Sequence, residues 1–217
     1  MLFNCETWHG IKDADFTQIK IIDHQLLRYI CKSHAKTPVE FLFLETGAIP
    51  ISQIISNRRL NYLYEILMRD DSELVKRVFQ AQFENPSKGD FVKLVEEDFS
   101  YIGETFDVEN ICKMTKLQLK KHIREKIKKS TLENLQAIQQ GHSKVRDITY
   151  TQLKPQEYLR SPKFSNSHCE LLTALRSHTL RGIKCNFPSY YTSDVSCPIN
   201  CDTNKQEDCQ TYLLSCV

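Results

Sequence analysis

No run of about eighteen apolar residues occurs in this 217-residue chain, so nothing in it has the length of a membrane-spanning helix. The first eight residues, Met1 to Trp8, have neither a basic flank nor a long apolar core. They are therefore not read as a secretory signal, and the expectation is an intracellular protein, nuclear or cytoplasmic, that is not secreted. Sustained period-two alternation is missing up to residue 103, which argues against a sheet. Neither sign of charge dominates: 29 Lys and Arg against 27 Asp and Glu leave a net charge of +2. Affinity for nucleic acid would then have to come from clustered charge, because the total supplies none. No P-loop, nucleophile elbow or His-Glu-x-x-His is present. The one adjacent aspartate pair, Asp70 and Asp71, stands before Ser72 as expected helix caps. No internal repeat or low-complexity tract is found. The expectation is a protein without catalytic residues and without a small-molecule substrate.

What is there is globular: 41% hydrophobic, 26% charged and 10% aromatic residues, on a chain long enough for one good core and a small appended module. Helical spacing dominates. Phe16, Ile19, Leu26, Leu27 and Ile30 mark a helix ending near Cys31. Thr37-Pro38-Val39-Glu40 reads as a capping box opening a short helix to Leu44. Pro50 starts a helix over 51–69. Leu74, Val75, Val78 and Phe79 mark another before Asn85-Pro86, and Phe91, Val95, Phe99 and Ile102 share a face that Gly103 ends. Thr115 with Gln118 is a second capping box, and Ser130 or Thr131 is read as the cap of a separate helix closed by Gly141. Residues 142–162 read as a polar linker with a short helix at 156–159. A last helix spans 167–181, with Leu171, Leu172 and Leu175 inward.

Two features stand out of this helical pattern. In the 51–69 helix, Arg58 falls between Ile54 and Tyr62, and Arg59 between Ile55 and Leu63, on an apolar stripe where an unpaired guanidinium is costly. One solution is an ion pair with Glu40, Glu45 or Glu65; the other is a phosphate backbone lying along the helix, which suits the planar fork. In the helix after Thr115, Lys116, Lys120, Arg124 and Lys128 recur every four residues, joined by Lys121, Lys126 and Lys129, beside Leu119, Ile123 and Ile127. Such a ridge is either a solvated face or a phosphate-tracking one, and the acidic stretch 90–109 could neutralise it internally.

Nine cysteines are many for this length, and four of them, Cys197, Cys201, Cys209 and Cys216, crowd the last twenty-one residues. Without an export signal they point to reduced thiols or to metal. Four thiolates around Zn2+ would fold such a segment outright.

Taken together, these residues resemble the carboxy-terminal part of a non-LTR (LINE-type) retrotransposon reverse transcriptase. The resemblance rests on Cys5-Glu6-Thr7-Trp8, on Leu44-Glu45-Thr46-Gly47 with Pro50-Ile51, and on Arg58-Arg59-Leu60-Asn61-Tyr62. It continues through Gln82, Asn85-Pro86 and Gly89-Asp90, through His142-Ser143-Lys144 and Gln156-Glu157-Tyr158-Leu159, and through Leu171-Leu172 with Leu175-Arg176. It implies a helical thumb that grips RNA or DNA, mostly by backbone contacts, and a terminal Cys-Cys-His-Cys zinc knuckle. Cys197, Cys201 and Cys216 match that knuckle directly. Tyr212 stands where the family has its ligand histidine, so Cys209 enters the ligand set only by inference. The paired palm aspartates of the family are missing, so the chain would be a non-catalytic fragment of an RNA-directed DNA polymerase.

The expected architecture is all-α, a multi-helix, thumb-like bundle with a small C-terminal zinc-knuckle-like module. Residues 1–104 form the thumb-like region, 105–162 a basic connection and linker, and 163–217 a helix with the Cys-rich tail. Expected nucleic-acid contacts are Arg58, Arg59, Lys116, Lys120, Lys121, Arg124 and Lys128. A helical protein–protein interaction module without a nucleic-acid role is the competing expectation.

Overall fold

The computed structural model of the protein describes residues 4–7, 13–177 and 179. Among them every regular element is a helix, an all-α arrangement. A short 3-10 turn, Cys5–Thr7, precedes α1 (Asp13–Ile30), α2 (Val39–Thr46), α3 (Ile51–Leu67), α4 (Leu74–Glu84), α5 (Phe91–Tyr101), α6 (Val108–Lys113), α7 (Lys116–Gln139), α8 (Glu157–Arg160) and α9 (Asn166–Arg176). No single helix among the described residues is long and apolar enough to cross a membrane.

The fold is organised by α7. Thr115 and Gln118 form the expected capping box, each side chain satisfying the other's backbone N–H. No Gly or Pro follows until Gly141, and Leu119, Ile123, Ile127, Thr131, Leu135 and Gln139 recur every four residues as its buried stripe. The expected second start at Ser130 or Thr131 does not occur. Thr131 is 1% exposed and faces inward, where its hydroxyl accepts from Tyr101 Oη at 3.3 Å, so nothing there competes with the helix. At 24 residues α7 is about 36 Å long, enough to serve two cores.

Its N-terminal half packs on the first core. Leu60, Leu63 and Ile66 of α3, Phe79 of α4, Val92, Val95 and Phe99 of α5 and Ile111 of α6 close on Leu119, Ile123 and Ile127. Its C-terminal half packs on the second, where Leu135 meets Leu27 of α1, Cys31 just after it, the Phe41–Leu44 run of α2, and Val145, Tyr150 and Leu153. Burying each such side chain contributes about 1.5–3 kcal/mol. The first core therefore runs across the expected boundary at residue 104. Likewise, residues 142–155 are no free linker but a strap. It lacks periodicity, yet it buries three apolar side chains, and α7 satisfies its backbone: Gln139 Nε2 donates to the Val145 and Ile148 carbonyls, Gln136 Nε2 to that of Tyr150.

Local chemistry departs from expectation at several helix starts. Pro38 is the N-cap of α2, and the Thr37 hydroxyl donates to Thr179 Oγ1 at 3.2 Å instead of forming a capping box. Pro50 brings no capping side chain to α3; Asp23 of α1 accepts the Ile51 N–H at 3.0 Å in its place. Asp70 accepts from the N–H and hydroxyl of Ser72, an Asx turn, and Glu73 occupies the N-cap of α4. The α6 helix was not expected; Asp107 caps it by accepting from the N–H groups of Glu109 and Asn110. In α9 the buried residue is Thr173, followed by Ser177 at the C-cap, while Leu171 is 45% exposed.

Candidate nucleic-acid interface

The basic residues of α7 separate by their position around the helix. On the two flanks of the buried stripe the charges are already matched. Lys116 Nζ lies 2.8 Å from Glu65 Oε1. Glu104, in the turn after α5, takes both Lys126 Nζ and His122 Nε2 at 2.8 Å on Oε1. The Glu65 carboxyl is held below its ordinary range by the Lys116 hydrogen bond, with Lys116 and Lys120 adding charge. Partial burial pushes the Glu104 carboxyl up, but Lys126 and His122 together outweigh it and hold it below its ordinary range. Lys129 reaches Glu133 of its own helix at 3.9 Å.

The outer face is different. A pitch of 3.6 residues places Leu117, Lys121, Arg124 and Lys128 on one line, with Lys120 beside it. Lys120, Lys121 and Arg124 are exposed and Lys128 is half-buried. Among the described residues no ion pair involves any of these four. They span about 12 Å along the axis. Four cations on one rigid face over that length can follow a row of phosphates, at points fixed by a helix. On another side of α7, a groove of about 370 Å³ is lined by Ser100, Gly103, Lys126, Lys129, Ser130 and Asn134.

The two α3 arginines do not act together. Arg59 is 9% exposed, and its Nη1 lies 2.9 Å from Asp98 Oδ2 of α5 and 3.5 Å from the Leu94 carbonyl. Burial pushes the Asp98 carboxyl above its ordinary range, against the pull of Arg59 and of a Ser56 hydrogen bond. The expectation of Arg59 as a phosphate contact is therefore withdrawn: its guanidinium is inside the fold. The carboxylates expected beside it are used elsewhere, since Glu40 faces His142 at 3.5 Å, Glu65 holds Lys116, and Glu45 belongs to a separate cluster. Arg58 is exposed, with Nη1 3.8 Å from the Cys5 sulfur.

That separate cluster is what sequence reasoning missed. Glu45 is fully buried. Its Oε1 accepts from Tyr150 Oη at 2.5 Å and from Arg176 Nε and Nη2 at 3.0 and 2.8 Å, and its Oε2 accepts from Tyr158 Oη. A glutamate directly after the apolar run Phe41–Leu44 was the only local signal that an internal partner had to exist.

Cys197, Cys201, Cys209 and Cys216 lie outside the described residues. Among the described residues no group of three or more His, Cys, Asp or Glu is placed to hold a metal ion. Cys5 and Cys31 are buried free thiols, and burial pushes Cys31 up to about 11. Comparison with protein-family models, with curated proteins and with solved structures gives no match to this chain.

Proposed function

We propose that this chain is a non-catalytic piece of a reverse transcriptase of the non-LTR retrotransposon type. It binds RNA or DNA by backbone contacts along α7 and carries a C-terminal Zn2+ knuckle at Cys197, Cys201, Cys209 and Cys216. The observation that carries this reading is the outer face of α7, where Lys120, Lys121, Arg124 and Lys128 make no ion pair among the described residues while the flanking Lys116 and Lys126 are matched. Arg58 of α3 is exposed and is kept in the contact set; Lys116 can join it by exchanging Glu65 for a phosphate, since both partners are about half exposed.

Fluorescence anisotropy with a mixed-sequence duplex and with single-stranded RNA tests the proposal. The four outer-face contacts of α7 by themselves contribute about −3 to −4 to the slope of log K against log salt, and charge reversal at Lys120 and Arg124 reduces the slope by about two. Binding indifferent to salt and to both reversals rejects it. Metal analysis of the purified chain tests the knuckle separately, one zinc per chain being expected.

Two observations favour the competing reading, a helical protein-interaction module. Arg59 is closed on Asp98, and Glu104 from the acidic stretch 90–109 is in contact with both Lys126 and His122. If that matching were the whole purpose of the ridge, the K120E and R124E exchanges would leave every nucleic acid's affinity unchanged.

A further inference from the structure

The inner face of α1 is fully used. Leu27 and Cys31 enter the second core, and Phe16 and Ile19 rest against Cys5, Ile51 and Ile55. Its outer face is also apolar. Ile22 is 44% exposed, Leu26 56%, Tyr29 82% and Ile30 63%, and residues 22, 26, 29 and 30 form a continuous stripe at helical spacing. Scattered apolar residues on a surface are ordinary, but four along one helix face mark an interaction surface.

The charges at the ends of this stripe say what fits it. Asp15 stands at the N-terminal end and Lys32 just past the C-terminal end, both exposed. Arg28 does not compete, because Nη1 donates to the His34 and Thr37 carbonyls. Lys32 meets Glu170 only at 3.9 Å, with both side chains about half exposed, a pair worth little. When two such helices lie antiparallel about a two-fold axis at residue 24, Ile22 of one copy faces Leu26 of the other. The same register brings Asp15 of each copy within one residue of Lys32, just past the end of α1, of its mate. The face is thus complementary to itself in apolar pattern and in charge.

We propose that this face of α1 binds a second copy of the same chain, antiparallel, to form an isologous dimer. One short helix on each side makes a small interface, so the dissociation constant is on the order of micromolar. The inference does not depend on the nucleic-acid reading.

Sedimentation of the full chain, from micromolar to hundreds of micromolar, tests it. The mass rises with concentration toward twice the 25.4 kDa of one chain. Leu26→Glu holds it at one chain while helical circular dichroism and melting stay unchanged. Asp15→Lys alone and Lys32→Glu alone each weaken the dimer about tenfold or more, by like charges at both ends. Mixing those two variants restores it as a heterodimer, since every end contact is then between opposite charges. A chain monomeric at all concentrations overturns the proposal. So does a dimer indifferent to Leu26→Glu, or a mixture of the two charge variants that stays monomeric. A monomer whose melting falls on Leu26→Glu also overturns it, by showing that the face is covered from within the same chain.

Discussion

Arg176 donates from Nε and Nη2 to a single oxygen of Glu45, a residue 131 positions earlier in the chain and fully buried. Tyr150 and Tyr158 complete the shell, and burial followed by the Glu45 charge raises both phenols far above their ordinary range. Four segments meet at this carboxylate: α2, the strap, α8 and α9. Removing the guanidinium leaves a buried carboxylate with two hydroxyl donors and no counter-charge. Arg176→Met should cost about 3 kcal/mol, the lower end for a broken buried pair because Arg176 is 37% exposed. Urea unfolding reads the loss, and amide exchange should show it concentrated in 145–177. Lysine at 176 should rescue only in part, lacking the fork.

The all-helical class was legible because it follows from local spacing: the apolar stripes of α3, α5 and α7 and the Thr115 capping box need only near neighbours. The features that were not legible depend on distant partners. Glu45 gives no hint that its counter-charge sits at Arg176, nor Arg59 that Asp98, not a nearer glutamate, receives it. The strap 142–155 looked like a linker because its backbone bonds go to Gln136 and Gln139, which read as ordinary helix surface. In α1 and α4 the spacing found the helices but not which side faces inward, since both carry apolar residues on more than one side. The ridge was visible as a charge run, but its division into matched flanks and an unmatched outer face required Glu65 and Glu104 to be placed in space.

The Arg59–Asp98 pair is dry on both sides, with side chains 11% and 8% exposed. Arg59→Met or Asp98→Leu alone should each destabilise by about 3–5 kcal/mol, because each strands a charge in the core. The double variant should recover most of that loss, since apolar side chains of similar size avoid the desolvation. A double-mutant cycle by chemical denaturation checks this, and additive losses would show that the two residues act separately.

Gly47 ends α2 with φ of +63°, and a Cβ there would fall on the backbone of Lys154 and Pro155. Gly89 also has a positive φ, +87°, but nothing lies within 4 Å of a Cβ built on it. Gly89→Ala should therefore show only the backbone cost, about 1–2 kcal/mol. Gly47→Ala should lose more, because the strap must lift off and take the Gln156 N–H away from the Glu45 carbonyl. The difference between the two variants in urea midpoint measures the close packing of strap on helix.

Glu104 and Asp98 respond to pH with opposite sign. The Glu104 carboxyl is depressed in the folded state, so the stability it contributes is present above its unfolded pKa and is lost as pH falls through the folded value. The Asp98 carboxyl is raised, so its contribution is fully present below its unfolded pKa and is lost as pH rises through the folded value. Glu104→Gln should accordingly lower the melting temperature near neutrality and flatten its fall below the ordinary glutamate range. Melting curves across the carboxylate range, parent against variant, give the slope directly. An acid limb unchanged in the variant would mean that Lys126 and His122 do not hold Glu104.

The division of the basic helix also predicts that two neighbouring cations do different work. Lys126 is tied to Glu104 at 2.8 Å, whereas Arg124, two residues earlier, is exposed and pairs with no carboxylate among the described residues. Lys126→Glu sets like charges against each other on Glu104 and should lower thermal stability by a few degrees. It should change nucleic-acid affinity mainly through that loss. Arg124→Glu should leave melting untouched and instead reduce the salt slope of binding by about one, with affinity falling across all sequences alike. Measuring both quantities on both variants separates a phosphate-facing ridge from a structural one. Were Arg124→Glu to disturb folding while Lys126→Glu selectively removed binding, the assignment of inner and outer charges on α7 would have to be reversed.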